Sequence, residues 1–412
     1  MWFVYKKILE KICYYDIKII RIVDKIFPKN NNIFILGITH GKHLRDNIYY
    51  FYDYLRINET KIQFIMFIEN EIHRKELQNN YPHVTVLNPF SVKGLYYALC
   101  ARVVIIIANL VTEVPNSYLF SNKKIIVNLW HGVPMKGVCL TDAEWDERQR
   151  KYFLSRESNR YDLMTVSSKM ERMINSATFG VPYSNITISG SPRNDYMFHY
   201  LHGSKKIKSI MEYFPHKKNN PSKIILYAPT KRENGAPVMF PFHDRDLELI
   251  DKYFSSNNLL LVIRGHFGNV TNIEYGIIDF STFDKFQSIV TLNIDVVDNV
   301  NDILHEIDIL ITDYSGIYLD FLLLERPVIF FPYDIEEYER IPGLQFDYEL
   351  ITAGPKVFSQ KEFLRHLDMY VKNPSIDSEK RIFIRNLIHK YFDGKACDRI
   401  YEEILSLIDQ KS

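Results

Sequence analysis

The chain has 412 residues, with 51 Lys and Arg against 50 Asp and Glu, a net charge of +1, and 46% hydrophobic and 14% aromatic residues. At roughly 150 residues per domain this length holds two or three domains, and the apolar content excludes a disordered chain. The near-zero charge argues against a general nucleic-acid binder, which shows a clear basic excess. Four cysteines, Cys13, Cys100, Cys139 and Cys397, stand far apart without a Cys-x-x-Cys. They form neither a zinc knuckle nor a disulfide framework, so a reducing, intracellular setting is favoured.

Residues 1–27 read as one amphipathic helix. Tyr5, Ile8, Leu9, Ile12, Tyr15, Ile19, Ile22, Val23 and Ile26 recur at helical spacing, with Lys6, Lys7, Lys11, Lys18, Arg21 and Lys25 on the other side. Pro28 ends it. The charges interrupt any secretory signal, and no run reaches the ~18 apolar residues of a membrane span. Two readings stay open for this helix. One is a membrane-surface contact with Trp2 and Phe3 at its tip; the other is a helix packed on its own domain.

Short β-branched runs then alternate with longer polar-apolar stretches. Strands are predicted at Ile33–Gly37, Ile62–Ile68, Val84–Leu87, Val103–Ala108, Ile125–Leu129, Leu163–Ser167 and Ile186–Ser189. A polar cluster, Pro215 to Pro221, breaks the pattern and marks a domain boundary. A second alternation follows at Ile224–Tyr227, Leu259–Ile263, Ile309–Thr312 and Val328–Phe331, and residues 361–408 read as helical. The division is therefore a helix over 1–28, a first unit over 29–215 and a second over 221–412. Alternation of this kind builds two doubly wound α/β units, with ligands held beyond the carboxyl ends of the strands.

Five segments at strand ends carry candidate chemistry. In Trp130-His131-Gly132-Val133-Pro134-Met135-Lys136, His131 is either a general base or a hydrogen-bonded structural histidine. Arg193, in Gly190-Ser191-Pro192-Arg193-Asn194-Asp195, is a phosphate fork or half of an Arg–Asp pair shaping a turn. Tyr227-Ala228-Pro229-Thr230-Lys231-Arg232 offers a hydroxyl and two cations, or a solvated loop. Arg264 and His266 lie two apart on an extended segment and project the same way. Thr312-Asp313-Tyr314-Ser315-Gly316 leads into a helix predicted from about Ser315, either an anion-binding helix start or an ordinary cap. Asp244-Arg245-Asp246 begins another helix and reads as capping rather than metal binding. The ordinary NAD, P-loop, zinc-protease and serine-hydrolase motifs are missing.

In combination and in this order, the segments resemble the CDP-glycerol glycerophosphotransferase family, which builds teichoic acids and related capsule polymers. The matching residues are Trp130 to Lys136, Gly190 to Asp195, Tyr227 to Thr230, Arg264 to His266 and Asp308 to Ser315. The pattern continues through Asp320, Arg326-Pro327 and Tyr333-Asp334 to Tyr391-Phe392-Asp393-Gly394. The chain has Ser315-Gly316 where the family has two serines, and Lys231 where an aromatic residue often precedes the arginine.

The resemblance implies a GT-B type fold, two Rossmann-like domains facing across a cleft. It implies transfer of polyol phosphate, glycerol phosphate foremost, from a CDP-activated donor (CDP-glycerol or CDP-ribitol) with release of CMP. The acceptor would be a hydroxyl of a lipid-linked saccharide or growing polymer. His131 and His266 would be catalytic, His131 taking the acceptor proton. Gly132, Val133, Pro134, Met135, Arg193, Pro229, Thr230, Arg264, Gly265, Ser315, Gly316 and Asp320 would hold the donor. No cofactor is required, and Mg²⁺ is left open. Such an enzyme would sit on the inner face of the bacterial plasma membrane, held through residues 1–27. The competing expectations are a nucleotide-sugar glycosyltransferase on the same scaffold and a non-catalytic polymer-binding protein.

Overall fold

A computed structural model describes residues 21–38, 44–201, 208–215, 220–230, 232, 239–264, 280–293 and 296–411. Most of the predicted amphipathic helix lies outside them, as do Gly265 and His266; residues 21–26 are helical.

The first sheet has seven strands: β1 (Asn30–Leu36), β2 (Gln63–Phe67), β3 (Val84–Leu87), β4 (Ala101–Ile106), β5 (Ile125–Asn128), β6 (Leu163–Val166) and β7 (Ile186–Ile188). Their order is β3-β2-β1-β4-β5-β6-β7, and each neighbouring pair is parallel. The central strand β4 is buried along its whole length, because helices cover both faces of a parallel sheet. Alternation along the strands sorts residues by face: Phe34, Leu36, Val103 and Ile105 join one core, and Ile33, Ile35, Val104 and Ile106 the other.

The second sheet has five parallel strands: β8 (Lys223–Tyr227), β9 (Leu259–Ile263), β10 (Ile289–Thr291), β11 (Ile309–Thr312) and β12 (Val328–Phe330), in the order β10-β9-β8-β11-β12. The strand β10 was not expected. It is three residues long and lies at the sheet edge, too short for any periodicity to register. Strand order reverses between β1 and β4 in one sheet and between β8 and β11 in the other. Those crossovers are where a doubly wound sheet opens a crevice for a ligand.

Two boundaries differ from expectation. Ile210 and Phe214, placed with the first unit, are buried in the second sheet's core beside Leu226 and Leu260. The last helix, Ala396–Lys411, leaves the second unit and returns to the first sheet. Cys397, Ile400, Ile404 and Ile408 form one helical stripe in the core with Leu36, Val103 and Val127. Lys411 Nζ anchors its end on the Lys124 carbonyl at 2.7 Å. No helix among the described residues is long and apolar enough to cross a membrane.

Candidate active site

His131 follows β5, where Asn128 turns the chain. The Asn128 carboxamide accepts from the Trp130 amide at 2.9 Å and donates to the Ala108 carbonyl at 3.1 Å. Trp130 takes φ +46° and Gly132 φ +114°, a sharp reversal that puts the imidazole beyond the strand end. The buried Trp130 indole stacks on the His131 ring, with centroids 4.0 Å apart and 27° between planes. His131 as a residue is exposed to solvent. Crowding by protein nonetheless desolvates it and lowers its pKa; Asp46 opposes this and Arg193 adds to it. With its pKa below the ordinary 6.5 the ring is neutral near pH 7, the state a proton acceptor needs.

Beyond His131 the loop crosses to the second unit. Val133 and Met135 are buried in that unit's core with Tyr314 and Leu319. Lys136 pairs with Leu344, the Gly137 amide donates to the Gly343 carbonyl at 2.9 Å, and the Gln345 amide to Met135 at 2.9 Å. The Val133 carbonyl lies against Gly316, 3.5 Å from where a Cβ would stand. Val133, Pro134 and Met135, expected at the donor, are buried, and the side chains of Val133 and Met135 fix the loop on the second unit's core.

Arg193 also departs from expectation. The residue is 8% exposed; both terminal nitrogens of its guanidinium are committed, while Nε is buried with no partner among the described residues. Nη1 donates to both Asp46 oxygens at 3.0 Å and to the His131 carbonyl at 2.7 Å, and Nη2 pairs with Asp320 at 2.6 Å. Burial opposes its charge, but Asp320 and Asp46 outweigh burial and move its pKa up. Asp320 also accepts from Asn194 at 2.8 Å. Arg193 and Asp320 therefore tie the two units together and hold the His131 backbone. Gly132 belongs to the same joint, since a Cβ there would stand 2.2 Å from Arg193 Nη2.

The other wall is the crossover between β8 and β11. Pro229 is buried. Thr230 gives its amide and hydroxyl to Asp313, at 2.8 and 2.6 Å. Arg232 bridges Asp313 (2.9 Å) and Asp334 (2.7 Å), within 5.0–5.3 Å of the rings of Tyr314, Tyr333 and Tyr338. Thr230 thus braces the crossover. Ser315 and Gly316 are half-buried and precede a helix of five residues, Ile317–Phe321, with no side-chain cap bond.

Arg264, at the end of β9, is different. Its Nη2 donates to the Asp298 carbonyl at 3.2 Å, while Nη1 is buried with no partner among the described residues. Burial lowers its pKa to about 10; Asp298 opposes this and Arg45 adds to it. A buried guanidinium with an unused donor is a costly arrangement that an anion would relieve. Residues 45–47 link it to the histidine: Arg45 pairs with Asp298, and Asn47 donates to the Trp130 carbonyl at 2.8 Å.

Sequence reasoning missed Asp46 and Asn47, which sit in no recognisable motif. Asp313 and Asp334 were visible inside motifs, without a role. Asp246 caps helix Leu247–Ser256 through the Leu249 amide, as expected.

The family model CDP-Glycerol:Poly(glycerophosphate) glycerophosphotransferase matches residues 19–406. The chain is 27% identical over 417 residues to the teichoic acid poly(glycerol phosphate) polymerase of Bacillus spizizenii, covering 97% of this chain and 99% of that protein. It is 26% identical over 410 residues to the teichoic acid glycerol-phosphate transferase of Staphylococcus aureus, covering 97% and 98%. The structure of the wall teichoic acid polymerase TagF superposes with a TM-score of 0.73 at 19% identity, over 99% of this chain and 96% of that one. A UDP-GlcNAc 2-epimerase from Neisseria meningitidis shares the fold more loosely, at a TM-score of 0.54 and 14% identity over 91% and 99% of the two chains. The two-sheet arrangement is the expected GT-B type, and the chain belongs to the CDP-glycerol:poly(glycerophosphate) glycerophosphotransferase family.

Proposed function

We propose that the cleft between the two sheets transfers glycerol phosphate from CDP-glycerol to a hydroxyl of a teichoic-acid-type acceptor, releasing CMP. The observation that carries this reading is the placement of a solvent-exposed His131 at a strand end of one unit and, at a strand end of the other, of an Arg264 guanidinium whose Nη1 has no partner among the described residues. The acceptor oxygen attacks the phosphorus that bears glycerol, and the bond to the CMP oxygen breaks. His131 takes the acceptor proton, and Arg264 balances the charge that gathers on the diphosphate. Phosphoryl transfer asks for alignment and charge stabilisation, with little covalent chemistry from the protein. Arg193, Asp46 and Asp320 hold His131 in register, while Asp313 and Arg232 hold the donor-side crossover.

The two earlier alternatives lose ground to the family match, which runs through nearly the whole chain. Incubating the protein with CDP-glycerol, CDP-ribitol or UDP-glucose and a soluble acceptor analogue tests the reading. CMP release from CDP-glycerol with acceptor extension is expected; turnover of UDP-glucose alone would refute it.

Residues 1–27 would bring the enzyme to a lipid-linked acceptor at the membrane surface. The support is the described end of that helix, where Ile22, Val23 and Ile26 are 51%, 51% and 77% exposed. A cytoplasmic-face location follows from that contact and from the intracellular nucleotide donor.

A further inference from the structure

We infer that a cavity at the base of the first sheet, beneath helix residues 21–26, binds the phosphate of an anionic phospholipid headgroup. This rests on the membrane reading above but not on the catalytic one. The cavity holds about 510 Å³ and is lined by Arg21, Ile22, Lys25, Ser121, Asn122 and Arg160, among others. It opens where β5 begins, beside Lys124, whereas His131 follows the other end of that strand.

The charges lining it do not balance. Arg21, Lys25 and Arg160 form no ion pair among the described residues, and Arg21 Nε is buried without a hydrogen-bond partner there. Arg160 spends Nη2 on the carbonyls of Ser117 and Phe120, at 2.9 and 3.4 Å. The lining carboxylate, Asp162, is committed to Lys411 Nζ at 2.5 Å and to the Ile126 amide at 2.9 Å. Lys124 is turned inward, to the Ala101 carbonyl at 2.8 Å and to Asp24 at 3.2 Å. The guanidiniums also work against one another. Burial and then Arg21 bring the Arg160 pKa down to about 10, and burial and then Arg156 lower that of Arg21. Cations gathered in a hollow, with no counter-ion to spare among the described residues, make a site for a phosphate.

The surroundings select a lipid as its source. Ile22 lines the cavity, and Ile22, Val23 and Ile26 project from the same helical turns. Phe27 packs edge-on against Tyr96 with centroids 6.0 Å apart, and Tyr96 and Val92 are themselves exposed. A free phosphate has no use for this apolar border. A bilayer fits both parts, with the headgroup in the hollow and the side chains at the acyl boundary.

The test uses the full chain and the variant Arg21→Gln/Lys25→Gln, neither residue belonging to the catalytic cleft. Binding to phosphatidylglycerol vesicles is compared with phosphatidylcholine vesicles, and melting temperature is followed with inorganic phosphate. Each basic residue near an anionic surface contributes roughly fivefold in affinity, so the double variant should bind phosphatidylglycerol about 25-fold more weakly. Turnover on a soluble acceptor analogue should be unchanged. Equal vesicle binding by variant and wild type overturns the cavity while leaving the membrane reading intact. Equal wild-type binding to both lipids overturns the headgroup assignment. Stabilisation by inorganic phosphate without vesicle binding overturns the lipid source and the membrane reading together.

Discussion

Replacing Arg193 with leucine separates a tether from a phosphate ligand. The side chain holds three acceptors: Asp46, Asp320 and the His131 carbonyl. Their exposures set the cost. The Asp46 side chain is 27% exposed and can rehydrate when its partner leaves, but that of Asp320, at 6%, cannot. Removing one member of a buried pair costs about 3–5 kcal/mol, mostly from the carboxylate left behind. For a domain of this size that is a fall of roughly 6–20 °C in melting temperature. Turnover should drop as well, because His131 loses its carbonyl anchor, while donor affinity in the still-folded protein should change by less than about tenfold. Scanning calorimetry, donor titration and CMP release on one preparation would check all three. The double variant Arg193→Leu/Asp320→Leu should regain stability over the single one, since the deeply buried unmatched carboxylate is gone and the more exposed Asp46 can rehydrate. A single variant with a wild-type melting temperature and a donor KM raised a hundredfold would refute this account and restore Arg193 as a phosphate fork.

His131→Ala should lower kcat at least about a hundredfold with donor affinity nearly unchanged, read by CMP release and donor titration; near-normal turnover in a folded variant would remove it as the base. Because its pKa is lowered, the acid limb of kcat/KM, where the ring takes up a proton, should lie below the ordinary 6.5. A pH profile whose acid limb lies at or above 6.5 contradicts this. Arg264→Gln should raise the donor KM by about 10–100-fold without loss of melting temperature, for a buried charge with an unused donor contributes little to the free protein. Deleting residues 396–411 should unfold the first unit, because Ile400, Ile404 and Ile408 cover its sheet; hydrogen exchange should rise in β1, β4 and β5 and not in β8, β9 and β11.

The strands were legible from the sequence because a parallel sheet covered on both faces needs continuous β-branched runs, and Val103–Ile106 or Leu259–Ile263 can hardly read otherwise. His131 and Arg264 were legible for a related reason. A polar residue directly after such a run must emerge at the carboxyl edge, whatever the rest of the fold does. The motifs further named the family, through residue combinations that local physics alone would leave ambiguous. What the sequence could not carry was which polar groups would find each other across the cleft. Arg193 looks like a phosphate fork until Asp46, 147 positions away, and Asp320, 127 positions away, are brought to it. Thr230 looks like a ligand until Asp313 takes its hydroxyl. Helix Ala396–Lys411 follows the second unit in sequence, yet its apolar stripe finds its partners on the first sheet. These assignments depend on pairwise distances set by packing two sheets against each other, and a buried charge takes the partner that packing supplies.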